Sequence, residues 1–69
     1  MAPGEFVPTL RQKEVLSLLV EGFSDGEIAA ALWISARTVR HHIAELRILL
    51  GARNRTHLVS RAYVLGVLA

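Results

Sequence analysis

Residues 24–51, SDGEIAAALWISARTVRHHIAELRILLG, decide the fold because they predict two helices joined by a turn of only a few residues. Ser24 with Glu27 three positions later forms a capping box for the first helix, and Ser35 stands just before the second. Gly51 is suited to end the second helix, since glycine tolerates left-handed dihedral angles. Two short helices with so tight a joint are typical of a helix-turn-helix.

Two further helices flank this pair. Thr9 and Gln12 form another capping pair, and the helix that they open should end at Gly22. Its core side is expected to consist of Val15, Leu16 and Leu19. The last helix starts after Asn54 and should run to about residue 67.

The whole chain therefore predicts an all-α fold. We expect a compact four-helix bundle in which residues 25–32 form the scaffold helix and residues 36–50 form the recognition helix. Residues 9–69 make up the domain, and residues 1–8, which contain two prolines and no periodicity, are expected to be a flexible arm or a linker remnant. In the scaffold helix, the apolar positions are Ile28, Ala29, Ala31 and Leu32.

The recognition helix separates apolar from polar residues. Its core stripe consists of Val39, Ile43, Leu46 and Leu50. At about 100° per residue, the opposite side carries Arg37, His41, Ala44 and Ile48, with Arg40 and Arg47 on one flank and Thr38 and Glu45 on the other. Arginine can bridge to phosphate or fork onto guanine, and a small residue can touch a thymine methyl. The alternative is an ordinary solvated surface on a bundle helix.

Glu45 is the exception on this surface. A phosphate would repel its carboxylate unless it accepts from a cytosine amine or restrains an arginine, and both His41 and His42 are within reach along the helix.

Charge is distributed unevenly along the chain. Residues 1–33 carry two cations and five acids, a net charge of −3, whereas residues 34–69 carry six arginines and one glutamate, a net charge of +5. Such a division favours a basic surface for a polyanion, although late arginines on a solvated face would give the same totals.

Length and composition exclude several other classes of protein. A chain of 69 residues forms one domain, and it has no cysteine, which excludes disulfides and thiolate-bound zinc. Neither a signal peptide nor a run of about 18 apolar residues is found, so we expect a soluble, cytoplasmic protein without membrane contact.

No cofactor or catalytic set is expected. His41 or His42 could by helical spacing hold a metal together with Glu45, but no third ligand converges on such a pair, and we predict no metal site. Trp33, at the turn, is expected to cover the joint between the two helices.

The last helix carries more apolar residues than are needed for packing against the rest of the bundle. Leu58, Ala62 and Leu65 should face the bundle. We expect a dimer interface at the remaining positions, which are Val59, Tyr63, Val64 and Val67. Packing against the first helix or a missing N-terminal domain is the alternative.

Over residues 9–66 the chain resembles the LuxR-type helix-turn-helix domain, which also occurs at the C-terminus of NarL/FixJ-like response regulators. The resemblance lies in an ordered set of residues: Glu27-Ile28-Ala29, Leu32, Ile34-Ser35, Thr38-Val39-Arg40, His42, Leu50-Gly51 and Asn54-Arg55-Thr56. It implies a four-helix module of bacterial transcription factors that binds double-stranded DNA, with its recognition helix in the major groove. It also implies a homodimer through the last helix, and a receiver or ligand-sensing domain ahead of the module.

From the helix face and the resemblance together, we expect seven residues to contact DNA: Arg37, Thr38, Arg40, His41, Ala44, Arg47 and Arg55. The resemblance leaves Arg55 two roles, a phosphate contact or a structural ion pair. Departures from the family pattern at Gln12, Gly26, Glu45 and Leu49 indicate a weaker affinity or an unusual preferred sequence.

Two other functions fit the pattern less well. A small helical protein-interaction module would leave the arginines solvated and dock a partner on its last helix. Region 4 of a sigma factor has a similar pair of scaffold and recognition helices and would act with RNA polymerase. It lacks, however, the pattern that opens the fourth helix of this chain at Asn54-Arg55-Thr56.

Overall fold

Side-chain caps set where each of the four helices begins. The computed structural model describes residues 7–66, which form α1 (Leu10–Val20), α2 (Asp25–Leu32), α3 (Ala36–Leu50) and α4 (Arg55–Val64). The oxygen of each N-cap side chain, on Thr9, Ser24, Ser35 and Asn54, accepts from the backbone N–H three residues later. The predicted all-α fold, with its scaffold and recognition helices, is confirmed.

Both predicted capping boxes are complete. The Gln12 side chain accepts from the Thr9 N–H at 2.9 Å, and the Glu27 carboxylate accepts from the Ser24 N–H at 2.9 Å. The bond from the Ser24 N–H, helped by the Ser24 hydroxyl, lowers the pKa of Glu27. Glu27 therefore stays ionised, and its contribution to the cap is lost only as the pH falls through that lowered pKa.

α3 is the longest of the four described helices, and it packs against all three others, as α1 also does. Its predicted stripe is buried, and the core is completed by residues of the other helices: Val15, Leu16, Leu19, Ile28, Ala29, Leu58 and Ala62. α2 and α4 each pack on α1 and α3 but not on one another. None of the described helices is both long and apolar enough to cross a bilayer.

The turn between α2 and α3 is closed by a left-handed residue. Trp33 has φ 57° and is 93% exposed. The prediction that Trp33 covers the joint is therefore wrong, since the left-handed backbone that ends α2 turns the indole into solvent. Ala31 is also exposed, so the buried side of α2 is narrower than predicted and is carried by Ile28 and Ala29.

Side chains tie the end of α3 to the start of α4. Arg61 donates through Nε to the Leu50 carbonyl at 2.9 Å, which satisfies a group at the C-terminus of α3. Arg47 donates to the Arg53 carbonyl at 2.6 Å, and the Arg53 N–H donates to Nδ1 of His57 at 2.9 Å. The short connection is thus fixed from both helices.

Two helices end earlier than the sequence predicted. α1 stops at Val20, because Gly22, with φ 94°, has already turned the chain away from the helix axis. α4 stops at Val64, and Gly66, with φ 65°, donates its N–H to the Tyr63 carbonyl. Leu65 is 45% exposed, so the prediction that it faces the core is wrong.

The predicted arm lies mostly outside the described residues. Of residues 1–8, only the last two are described; Val7 is exposed and Pro8 is buried.

The cap of α3 gives a stability prediction. Ser35→Ala removes the acceptor for the Thr38 N–H, at 3.0 Å, and should lower the free energy of unfolding by about 1 kcal/mol. Urea denaturation followed by circular dichroism measures this. Ser17→Ala, on the exposed side of α1, is the matched control and should leave stability equal or slightly raised. Equal stabilities for the two variants would contradict the role of the cap.

Candidate nucleic-acid interface

Burial of one side of α3 fixes which of its residues face solvent. Arg37, Arg40, His41, Ala44 and Ile48 are exposed, and the side chain of Ile48 is 83% exposed. Within residues 7–66, the side-chain hydrogen bonds and ion pairs of α3 involve Thr38, His42, Glu45 and Arg47. Arg37, Arg40 and His41 are not engaged in them, so their donors are available to a ligand.

Thr38 serves the start of the helix. Its hydroxyl lies 2.9 Å from the Ser35 hydroxyl, and its backbone N–H is capped by the same oxygen. The side chain is half-buried. The structure thus gives Thr38 a structural role, and its predicted contact with DNA stays a prediction.

Arg47 and Arg55 are exposed but make intramolecular bonds. Arg47 donates to the backbone carbonyl of Arg53. Arg55, the first residue of α4, pairs with Asp25, the first residue of α2, at 2.5 Å and also donates to the Phe23 carbonyl at 3.3 Å. Of the two roles expected for Arg55, the structure shows the ion pair.

Sequence reasoning missed Asp25 as the partner of Arg55. The two residues are 30 positions apart, and the helical spacings that identify pairs along one helix carry no information about them. The placement of both helices on α1 and α3 brings their first residues together.

Glu45 is directed towards α1. Gln12 donates through Nε2 to Oε1 of Glu45 at 3.4 Å, and Nδ1 of His42 lies 3.6 Å from the same oxygen. That nitrogen is buried and has no hydrogen-bond partner within the described part of the chain. The Glu45 carboxylate is therefore restrained by Gln12, with His42 close by. The sequence had suggested an arginine as its partner, and the observed partner is Gln12 instead.

The exposed apolar residues of α4 lie at its C-terminal end. Tyr63 is 67% and Val64 is 72% exposed, and Leu65 follows them. Val59 is half-buried and packs against the core. Val67, the fourth residue of the expected dimer interface, lies outside the described residues.

Comparison with known proteins identifies relatives of the chain. A family model, "GerE: Bacterial regulatory proteins, luxR family", matches residues 9–62. The spore germination protein GerE of Bacillus subtilis (strain 168) is 40% identical over 60 residues, which cover 87% of this chain and 81% of that protein. The CsgBAC operon transcriptional regulatory protein of Escherichia coli (strain K12) is 44% identical over 54 residues, which cover 78% of this chain and 25% of that protein.

Solved structures show the same architecture. The structure of the transcription factor GerE matches with a TM-score of 0.82 and 36% identity, over 88% of this chain and 91% of that one. The crystal structure of the phage VqmA-DPO complex matches with a TM-score of 0.88 and 32% identity, over 99% of this chain and 31% of that one. The chain thus spans most of GerE but a third or less of the other two proteins.

The bridge between α2 and α4 gives a second prediction. Because α2 and α4 do not pack directly, the Asp25–Arg55 pair should couple them by about 0.5–1 kcal/mol, as expected for a partly exposed ion pair. A double-mutant cycle of Asp25→Ala and Arg55→Ala, measured by urea denaturation, isolates this coupling.

The control is a double-mutant cycle on Arg11 and Glu14, which lie on one helix. Nη1 of Arg11 is 3.8 Å from Oε1 of Glu14, and the coupling energy of this pair should be smaller. High salt should reduce the Asp25–Arg55 coupling. A coupling of zero at low salt would contradict the bridge.

Proposed function

The chain belongs to the luxR family of bacterial regulatory proteins and is a helix-turn-helix DNA-binding domain; on that premise we propose that α3 enters the major groove and reads its sequence. The supporting observation is the row of donors on Arg37, Arg40 and His41, which are exposed on α3 opposite its buried stripe. A helix of 15 residues is about 22 Å long, and the major groove admits a helix.

The outward residues suit different parts of a duplex. The guanidinium of Arg37, in the first turn of α3, can fork onto the two acceptors of guanine. His41, one turn further, can donate to a base acceptor or a phosphate. Ala44 keeps the helix close to the bases, where its methyl group suits a thymine methyl. We expect Thr38, beside the start of the helix, to contact a phosphate.

We further propose that the domain acts as a homodimer through the end of α4. Tyr63 and Val64 are large, apolar and exposed next to each other, as expected of a surface that a second copy covers. Val59 would lie at the margin of this interface, and Val67 would continue it. Two-fold symmetry then places two copies of α3 on half-sites about one helical turn of DNA apart.

The longer relatives suggest the setting in which the domain works. Proteins named as transcriptional regulators contain this domain as a quarter of their length or less. We infer that a receiver or ligand-sensing domain controls this domain and that it acts in the cytoplasm, where its DNA is.

Selection of bound fragments from random duplex DNA tests the reading function. The wild-type domain should enrich one motif, and Arg37→Ala or His41→Ala should relax the preference at particular base positions, by about 1–3 kcal/mol per lost base contact. Arg11→Ala, on the exposed surface of α1, should leave the motif unchanged. Enrichment of no motif by the wild type, or binding that does not weaken with salt, would favour a protein-interaction module instead.

Sedimentation tests the dimer. Tyr63→Glu should keep the fold, because the side chain is exposed, but should shift the protein to monomer and weaken binding to a two-half-site duplex. Ser60→Glu, on the exposed surface of the same helix, makes the same change of charge. It should change neither the oligomeric state nor the binding to the duplex. A wild-type protein that stays monomeric at high concentration, with and without the duplex, would refute the proposal.

A further inference from the structure

In three of the four helices, a side chain reaches back to the backbone at the start of its own helix. The third residue after each N-cap, which is Gln12 in α1, Glu27 in α2 and His57 in α4, accepts a hydrogen bond from a backbone N–H. In α1 and α2 this N–H belongs to the N-cap residue, as in a capping box. In α4 it belongs to Arg53, one residue before the N-cap Asn54, and its nitrogen lies 2.9 Å from Nδ1 of His57.

The bond between Arg53 and His57 requires an uncharged imidazole. A backbone N–H can only donate, so Nδ1 of His57 must offer a lone pair, and the ring proton is then on Nε2. Protonation would turn Nδ1 into a second donor that faces the Arg53 N–H, and the hydrogen bond would be lost. The amide of Gln12 does not titrate, and the pKa of Glu27 is lowered. Histidine, in contrast, is the side chain that ordinarily gains its charge between about pH 5 and 8.

The backbone of Arg53 is held from two helices. His57 of α4 binds its N–H, and Arg47 of α3 donates to its carbonyl at 2.6 Å. The N–H of Ala52, the preceding residue, donates to the Arg47 carbonyl at 2.8 Å. Loss of the bond to His57 would therefore leave the Arg53 backbone held by side chains of α3 alone.

The charged groups bonded around this contact are cations, which oppose a positive charge on His57. They are Arg47 on α3, Arg53 in the connection and Arg61 one turn later on α4. The carboxylates of α1, α2 and α3 are engaged in other contacts: Glu14 with Arg11, Asp25 with Arg55, Glu27 with Ser24, and Glu45 with Gln12. No ion pair within residues 7–66 includes His57, Lys13 or Glu21. A protonated His57 would thus add a cation beside arginines, without a carboxylate to bind it.

We propose that His57 acts as a pH-sensitive switch on the connection between α3 and α4: its neutral ring holds the Arg53 backbone against the start of α4, and its protonated ring releases it. The direction of the pH dependence follows from this geometry. The native state needs the unprotonated ring, whereas the unfolded chain can take up the proton. Stability therefore falls as the pH falls through the range in which histidine titrates.

The switch also affects the proposed DNA surface. Arg47 and Arg55, which lie on either side of the connection, are among the expected contacts with DNA, and Arg47 is restrained through the Arg53 carbonyl. Release of the connection should loosen both residues and weaken duplex binding at acidic pH. This consequence rests on the proposed function, whereas the switch itself does not.

Urea denaturation between about pH 8 and pH 5 tests the switch. His57→Gln keeps an acceptor at this position, as Gln12 does in α1, but has no charge to gain. On acidification, the folding equilibrium constant of the wild type should fall about two- to tenfold relative to that of His57→Gln, which corresponds to one hydrogen bond. His41→Gln, at an exposed histidine of α3, is the matched control and should keep the wild-type pH dependence of stability. Equal pH dependence of the wild type and His57→Gln would overturn the switch.

The amide of Arg53 gives a local readout. Hydrogen exchange followed by NMR measures how strongly this N–H is protected. Protection should fall on acidification in the wild type and stay constant in His57→Gln, while the Thr9 N–H, which is bound by Gln12, should respond equally in both proteins. A difference in stability without a change at Arg53 would also overturn the switch, because protonation of His57 would then act elsewhere.

Duplex binding at the two pH values tests the consequence for DNA. The affinity of the wild type relative to His57→Gln should fall several-fold at the lower pH, and the comparison cancels the charge that His41 gains in both proteins. An unchanged affinity ratio, together with the expected stability and exchange results, would overturn the effect on DNA binding and leave the switch in place. Absence of duplex binding by both proteins at the higher pH would instead overturn the proposed function, on which the first two measurements do not depend.

Discussion

Burial of one aliphatic stripe on α3 is the constraint on which the rest of the structure depends. Val39 and Leu46 are fully inaccessible, and Ile43 and Leu50 nearly so. All three other helices pack against α3. Because a helix cannot rotate without removing such residues from the core, the stripe determines which side chains of α3 are presented to solvent. Arg37, Arg40 and His41 therefore form one surface.

Bonds at the ends of the helices complete the placement. Ser35 caps the start of α3, and Arg61 binds the carbonyl of Leu50 at its end. Asp25 and Arg55 join the starts of two helices that have no packing contact of their own. The Asp25–Arg55 pair is partly exposed and contributes only modestly to stability, whereas the Ser35 cap contributes about 1 kcal/mol. Their effect is to fix the positions of the short segments that lie next to α3.

Local features of the sequence were sufficient to predict the helices but not their mutual contacts. The starts of all four helices followed from Thr9, Ser24, Ser35 and Asn54, since a cap acts within three residues. The Asp25–Arg55 and Gln12–Glu45 contacts join positions 30 and 33 apart, and no periodicity encodes them. Leu65 was misplaced because periodicity along one helix does not report what packs beside its end. Trp33 was misplaced because a left-handed backbone is rare outside glycine. The resemblance to the LuxR type predicted the function, which relatives in the family confirm; the individual contacts with DNA remain predictions.

The central claim is that the exposed side of α3 is the surface that meets the duplex. Amide resonances of isotopically labelled domain, recorded by NMR during titration with a selected duplex, test it most directly. The largest shifts should fall on Arg37, Arg40, His41 and Ala44. Shifts confined to α1, or to Tyr63 and Val64 at the end of α4, would contradict it.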